Sequence, residues 1–125
     1  MNIRYEQGLL FVNIDLFYNN QYVQIKDVVI DTGASHTIIS PDVVNDIGIT
    51  AQPTDKFITM YGIGGEHYAY RKKIDGISIC GYKLENLEID FGIIDEEGSI
   101  NGLLGLDVLL NLGLKIDLEN LKLSK

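Results

Sequence analysis

The chain has 125 residues, 46% hydrophobic with only two prolines, which is enough for one globular domain with its own core, residues 1–125. Its 18 acidic residues outweigh 10 Lys and Arg, and this net charge of -8 argues against nucleic acid as a partner, because such binding needs a basic surface. Cys80 is the only cysteine, so no disulfide can form within the chain, and its apolar neighbours predict a buried thiol.

The first thirty residues predict a β-hairpin. Every second residue from Leu10 to Leu16 is apolar, and this period of two is typical of a strand. Asn19-Asn20 predicts a turn, because asparagine tolerates positive φ. Residues 22–30 then predict the return strand, which ends directly before Asp31.

The rest of the chain predicts short strands and two short helices, so the expected fold class is all-β. The first helix spans residues 40–48, with Ser40 as its N-cap and Gly48 as its stop. The second spans residues 106–112 and ends at Gly113. Further strands are predicted at residues 56–61, 66–73, 74–79, 84–89, 100–105, 114–118 and 121–123.

Asp31-Thr32-Gly33-Ala34-Ser35 places a carboxylate on a glycine turn at the end of an apolar strand. Burying an unpaired charge there is costly, so an aspartate kept at this position usually has a function. The five residues also fit an ordinary turn, in which Asp bonds to nearby backbone and Gly supplies a positive φ. Their context has to distinguish a turn from a catalytic loop.

Two further motifs follow in a fixed order. Met60-Tyr61-Gly62-Ile63-Gly64-Gly65 predicts a glycine-tipped hairpin, and Leu103-Leu104-Gly105 predicts a buried strand that ends just before the second helix. The order and spacing of the three motifs resemble those of the retropepsin-like (retroviral-type) aspartic peptidases, over residues 9–123. The resemblance implies a closed acid-protease β-barrel with one lobe per chain.

The resemblance assigns a role to each residue of the first motif. Asp31 would be one member of a catalytic pair of aspartates. The Thr32 hydroxyl would bond to the partner's loop across a two-fold axis, and Gly33 would permit the turn and bring its N–H to the carboxylate. Ala34 stands where other members carry Ser, and it is expected to contact the substrate.

The glycine-tipped hairpin would be a flap that closes over the substrate. Its predicted substrate-binding residues are Tyr61, Gly62, Ile63, Gly64 and Gly65. Glycines suit a segment that approaches a peptide backbone closely and opens to admit it. Tyr61 is also a candidate for the part of the flap tyrosine in pepsin-like enzymes. An ordinary hairpin loop is the alternative for this segment.

Two carboxylates that share one proton can hydrolyse an amide, an arrangement of which aspartic peptidases are the standard example. The chain holds a single Asp-Thr-Gly, so the resemblance implies a homodimer in which an identical chain supplies the second Asp31. Leu106 stands where the retroviral enzymes have Arg, and Asp107 where they have Asn or Asp. The ion network that braces their dimer is therefore not carried over, and the interface is expected to differ.

The predicted function is thus that of an aspartic endopeptidase that cleaves peptide or protein substrates without a cofactor. His36, His67 and Cys80 lack the spacing of metal ligands. The first residues contain no signal-peptide core and the most apolar segment is too short to cross a bilayer, so we expect a cytoplasmic location and no membrane partner. Two alternatives remain: a catalytically silent retropepsin-fold module that dimerises or binds peptides, and a small β-domain whose Asp-Thr-Gly is only a turn.

Overall fold

The computed structural model describes residues 1–62, 65–95 and 97–125, and for residues 60–62 and 65–67 it describes the backbone alone. Within that part of the chain, the strands and the α-helix follow one another as β1 (Arg4–Glu6), β2 (Leu9–Tyr18), β3 (Gln21–Ile30), β4 (Ile38–Ile39), β5 (Lys56–Gly62), β6 (Gly65–Ile79), β7 (Tyr82–Gly92), β8 (Gly102–Leu104), α1 (Leu106–Leu112), β9 (Lys115–Asp117) and β10 (Lys122–Ser124).

Eight of these strands form one sheet, in the order β1-β2-β3-β8-β4-β7-β6-β5. The predicted hairpin is confirmed, since β2 and β3 pair antiparallel around Asn19 and Asn20, which have φ values of 50° and 62°. β2 also pairs with β6 through residues 15–17. The all-β class is confirmed, while closure of the sheet into a barrel stays a prediction.

The order of the strands places β8 between the two strands that the Asp31 loop connects. β3 runs parallel to β8, with Ile30 beside Leu104, and β4 runs antiparallel to it, with Ile39 beside Gly102. Residues 31–37 must therefore cross the end of β8 on their way from β3 to β4. This topology brings together two motifs that lie about seventy residues apart in the chain.

The hydrophobic core lies between the sheet and α1. α1 contributes Val108, Leu109 and Leu112 to it. The largest fully buried side chains come mostly from the sheet: Ile14, Leu16, Ile25, Ile39, Ile74, Ile77, Ile79, Ile89, Phe91 and Leu104. Because the ends of β3 and β8 emerge directly from this core, the residues that follow them start from a rigid base.

Residues 40–48 do not form the single helix that the sequence predicts. They form two 3-10 helices, Pro41–Val43 and Asn45–Ile47, which meet at Val44, where φ is -121°. The Ser40 side chain makes no capping hydrogen bond, and Val44 is completely buried. Packing of this branched side chain into the core thus overrides the local helix signals. The predicted stop is confirmed, since Gly48 has a φ of 83°.

β6 is one strand of 15 residues, where the sequence predicts two. It pairs with β5 over residues 65–71 and with β7 over most of residues 69–79. Because neighbouring strands pair with it on both sides, its polar middle stays in the strand conformation. The turn that follows is Cys80-Gly81, with φ values of 56° and 79°. Cys80 is therefore half-buried rather than buried, and desolvation raises the pKa of its thiol.

The end of the chain forms a second, small sheet. α1 ends at Gly113, whose φ is 64°, as the sequence predicts. β9 and β10 then pair antiparallel, and residues 1–3 lie along the other side of β10. Among the described residues, no helix has the length and apolar character needed to span a membrane.

Candidate active site

Asp31 is the first residue after β3, and the neighbouring strand holds its backbone. The Asp31 N–H donates to the Leu104 carbonyl at 3.0 Å, and the Ala34 N–H donates back to the Asp31 carbonyl at 3.2 Å. The Gly33 N–H donates to Asp31 Oδ1 at 2.9 Å, the contact that the motif predicts. A Cβ on residue 33 would lie 3.2 Å from the same oxygen, which explains why glycine suits this position.

The other residues of the motif are accessible. Asp31 and Ala34 are half-buried in the protomer, whereas Thr32 and Gly33 are exposed. The carboxylate is therefore neither sealed inside the protein nor held by a cation at the surface, within the part of the chain that the structure describes. It is placed where a second group can approach it.

The segment after β8 holds the Asp31 loop by backbone hydrogen bonds. The Leu106 N–H donates to the Ala34 carbonyl at 2.8 Å, and the Asp107 N–H donates to the Ser35 carbonyl at 3.3 Å. Gly105 lies at the closest approach, because a Cβ there would stand 2.8 Å from His36 C and 2.9 Å from Ala34 O. The glycine of the third motif is thus required by the crossing of two backbones.

Thr37 closes the loop and is completely buried. Its hydroxyl donates to Asp107 Oδ1 at 2.7 Å and accepts from the Gly105 N–H at 3.0 Å. Its own N–H donates to Asp107 Oδ2 at 2.9 Å. The sequence analysis missed Thr37, although a hydroxyl residue directly before the apolar pair 38–39 was a usable signal. Asp107 therefore bonds to the end of the Asp31 loop of its own chain.

A buried ion pair lies on the other side of Thr37. The Asp90 N–H donates to the Thr37 carbonyl at 3.0 Å, and the Asp90 carboxylate accepts from Arg71 Nε at 2.8 Å and from Nη2 at 3.3 Å. The hydrogen bond to Asp90 raises the pKa of Arg71 in spite of partial burial, and the nearby charge of Asp107 acts in the same direction. Sequence reasoning did not find this pair, because only the register of β6 against β7 brings the two residues together.

The hairpin of β5 and β6 carries the predicted flap residues. Gly62 pairs with Gly65 at its end, whereas Ile63, Gly64 and the side chain of Tyr61 lie outside the described residues. At the base of the hairpin, a Cβ on Gly92 would lie 3.0 Å from Ala69 Cβ and 3.2 Å from Ile38 Cδ1. The base of the hairpin therefore lies close to β4, the strand that follows the Asp31 loop. The substrate-binding role of residues 61–65 stays a prediction.

The groups that the described part of the site offers are backbone N–H donors and carboxylates. Within the described residues, no group of three or more His, Cys, Asp or Glu side chains is arranged to hold a metal ion. In its Asp-Thr-Gly loop, one protomer offers the carboxylate of Asp31, which accepts a hydrogen bond from the Gly33 N–H. That arrangement can contribute half of a pair of carboxylates that share a proton.

Comparison with known proteins agrees with this geometry. The model of a family described as "Aspartyl protease" matches residues 17–108, which include all three motifs. Two solved structures are similar in fold. A retropepsin-like aspartic protease from Rickettsia conorii superposes with a TM-score of 0.70 at 22% identity, covering 98% of this chain and 95% of that one. The EIAV protease complexed with the inhibitor HBY-793 superposes with a TM-score of 0.63 at 19% identity, covering 92% and 99%.

No curated protein matches the chain in sequence. At identities of 22% and 19%, the two structures establish the fold and not the residues that act in it. The family match, in contrast, spans most of the chain and contains the Asp31 motif. The chain therefore belongs to the aspartyl protease family and has the retropepsin-like fold.

Proposed function

We propose that this protein is an aspartic endopeptidase that works as a homodimer, with a water molecule activated between two Asp31 carboxylates. The observation that carries the proposal is the setting of Asp31, which is half-buried at the end of β3 with Oδ1 bound by the Gly33 N–H at 2.9 Å. Membership of the aspartyl protease family and the retropepsin-like fold support peptide hydrolysis.

The need for a partner follows from the chemistry. One protomer supplies one Asp-Thr-Gly, and the reaction uses two carboxylates of different protonation. A two-fold axis beside the loop would bring a second Asp31 opposite the first. Thr32 and Gly33 are exposed in the protomer, so they are available to contact the partner's loop.

The two carboxylates would then divide the work. The ionised carboxylate takes a proton from water while the water oxygen bonds to the carbonyl carbon of the substrate, and the protonated carboxylate donates its proton to the carbonyl oxygen. The tetrahedral intermediate collapses as its C–N bond breaks: the leaving nitrogen accepts the proton that the first carboxylate took from water, and the second carboxylate takes back a proton from one hydroxyl as the C=O bond of the product acid forms. We propose that Ala34 and residues 61–65 contact the peptide during these steps.

The first test compares the native chain with Asp31→Asn on a mixed peptide library. The substitution is nearly isosteric and removes the ionisable group, so we expect cleavage to disappear while the melting temperature and the mass in solution stay unchanged. Cleavage at the native rate by a pure Asp31→Asn preparation would place the activity elsewhere. A dimer of native chains that cleaves nothing would instead support the silent, dimerising module.

A second test addresses the sharing of the site between two chains. Native chain is mixed with an equal amount of Asp31→Asn and left to exchange subunits. If both aspartates are needed, only about a quarter of the dimers stay active, so activity per native chain falls by about half. Activity per native chain that does not change on mixing would show that each chain works alone.

A further inference from the structure

One row of residues crosses four neighbouring strands, β3, β2, β6 and β7. Tyr22 lies opposite Phe17, Phe17 lies opposite Gly76, and Gly76 lies opposite Glu85. Residues that lie directly opposite each other in paired strands have their side chains on the same face of the sheet. Two aromatic rings, a glycine and a carboxylate therefore share one face.

This face of the sheet is turned to the solvent. Leu16 and Ile77 are the neighbours of the row in β2 and β6, so they point to the opposite face, and both are completely buried. Tyr22, in contrast, is 65% exposed. A cleft of about 470 Å³ opens on the exposed face, and its walls include Phe17, Tyr22 and Glu85.

The cleft contains a cation of the chain itself. Lys83 Nζ lies 4.1 Å from the centroid of the Phe17 ring and 3.9 Å from Glu85 Oε1. The lysine stem passes over Gly76, where an added Cβ would stand 2.8 Å from Lys83 Cε and 3.0 Å from the Leu84 carbonyl oxygen. Glycine at this position therefore makes room for the lysine. An ammonium group in the cleft is stabilised by the face of a ring and by a carboxylate.

The cleft has the charge and the open ring to receive a second cation. Tyr22 is stacked on Phe17 with ring centroids 5.7 Å apart, and most of its own surface is exposed. Asp75 lines the cleft together with Glu85, so two carboxylates accompany one ammonium group. The Asn19 N–H donates to Asp75 Oδ2 at 2.8 Å and fixes this carboxylate in place. An open aromatic ring beside an excess of negative charge is suited to a lysine or arginine side chain.

We propose that this cleft binds a lysine or arginine side chain in a basic segment of another polypeptide. The net charge of -8 favours such a partner, because an acidic protein attracts positively charged chains from a distance. The cleft is separate from the candidate active site: Tyr22 is the second residue of β3 and Asp31 follows its last, a span of about 30 Å along the strand. The proposal is therefore independent of the peptidase activity.

The test is an NMR titration of the full chain with a short peptide of alternating glycine and lysine, blocked at both ends. The chain carries Asp31→Asn, so that the proposed peptidase cannot cleave the probe. We expect the backbone amide signals of residues 17–22 and 82–86 to shift as the peptide binds, and the shifts give its Kd. A peptide of alternating glycine and glutamate should leave these signals unchanged. Added salt should weaken binding of the lysine peptide.

The open ring is tested without any change of charge. Tyr22→Ala removes the ring that receives the cation, so we expect the Kd of the lysine peptide to rise by about two- to tenfold. The matched control is Tyr5→Ala, which removes a ring of similar exposure, 63%, from β1 and should leave the Kd unchanged. The spectrum of each variant shows directly that it is folded.

The lysine of the cleft provides a test of the opposite sign. Lys83→Met removes the ammonium that competes for the ring and the carboxylates, so the lysine peptide should bind about two- to tenfold more tightly. Lys73→Met is the control, because it removes the same charge from an exposed position of β6 that does not line the cleft. Its effect on the Kd should be smaller.

Several results would overturn the proposal. Equal Kd values with and without Tyr22→Ala would remove the cleft as the binding site, as would shifts confined to the Asp31 loop. Equal binding of the lysine and glutamate peptides would contradict the preference for cations. Weaker binding after Lys83→Met would show that this lysine belongs to the site rather than competing with the ligand. None of these results depends on peptide cleavage, so the proposed function is tested separately.

Discussion

Thr37 bonds with its side chain and its backbone to the segments on both sides of the Asp31 loop. Its hydroxyl lies between the Gly105 N–H and Asp107, and its carbonyl accepts from Asp90. Because Thr37 is completely buried, water cannot replace a bond that is lost there. The end of the loop, and through it the position of Asp31, therefore depends on one small side chain.

We predict that Thr37→Val lowers both the stability and the activity of the protein. Valine has nearly the same shape but leaves the buried Gly105 N–H without its acceptor, which should cost about 1–3 kcal/mol of unfolding free energy. Denaturant titration at a fixed protein concentration measures this loss. Thr37→Ser keeps the hydroxyl and should recover most of the cleavage, and equal activity in both variants would contradict the role of the hydroxyl.

We also predict that Gly105→Ala impairs cleavage more than its effect on stability explains. The added methyl would stand within about 3 Å of the backbone of residues 34 and 36, so the Asp31 loop must move. Gly113→Ala is the control, because it strains a residue at φ 64° but meets no atom within 4 Å. Both variants should lose about 1–2 kcal/mol of unfolding free energy. Peptide cleavage should fall only in Gly105→Ala, and equal loss in both would contradict the argument.

At the scale of elements, β6 connects the predicted flap to the residues that support the Asp31 loop. Its first residues form the hairpin with β5, and Arg71 in the same strand bonds to Asp90 of β7. Asp90 in turn donates its N–H to Thr37. The buried pair has little exposed surface, 17% for the Arg71 side chain and 6% for that of Asp90, so each charge depends on the other.

Breaking this pair should be more harmful than removing it. We predict that Arg71→Met costs about 3–5 kcal/mol of unfolding free energy, because it leaves the Asp90 carboxylate buried without a cation. The double variant Arg71→Met/Asp90→Leu should be close to native stability, since both charges are then gone. A double-mutant cycle by denaturant unfolding measures the difference, and additive losses would show that the two side chains do not interact.

At the scale of the whole molecule, an acidic chain with a net charge of -8 keeps several carboxylates in specific bonds. The hydrogen bond from Lys72 lowers the pKa of Asp55, as the one from Ser99 does for Asp95 and that from Asn120 for Asp117. The Asp55 side chain is 10% accessible beside Lys72. Each of these groups holds its proton less tightly in the folded state than in the unfolded state.

Acid should therefore destabilise the protein through these groups. A carboxyl group with a lowered folded pKa contributes stability above its unfolded pKa, and loses that contribution as the pH falls through the folded value. We predict that the unfolding free energy falls below about pH 4. Asp55→Asn should be less stable than the native chain at pH 7, with the two curves converging in acid. The exposed Asp46→Asn is the control, and parallel curves for Asp55→Asn would contradict this assignment.

Part of the site could be predicted from the sequence, because its signals are local. The place of Asp31 after a strand follows from the apolar run before it, and the Gly33 contact follows from the turn that a glycine permits. Thr37 and the pair of Arg71 with Asp90 could not be predicted in the same way. Their partners lie 19 to 70 residues away in the chain, so the neighbouring sequence does not show which residues they bond to.

The sequence by itself determined the class of fold, the hairpin around Asn19-Asn20, the helix before Gly113 and the three motifs of the family. The alternation of apolar and polar residues, the turn residues and the helix stops each act within a few positions of the chain. All of these signals can therefore be identified in the sequence alone. Only the tertiary structure decided that residues 40–48 form two 3-10 helices, because burial of Val44 outweighs the local helix signals. It alone also decided that the Asp31 loop crosses β8, since strand order is settled by packing across the whole sheet.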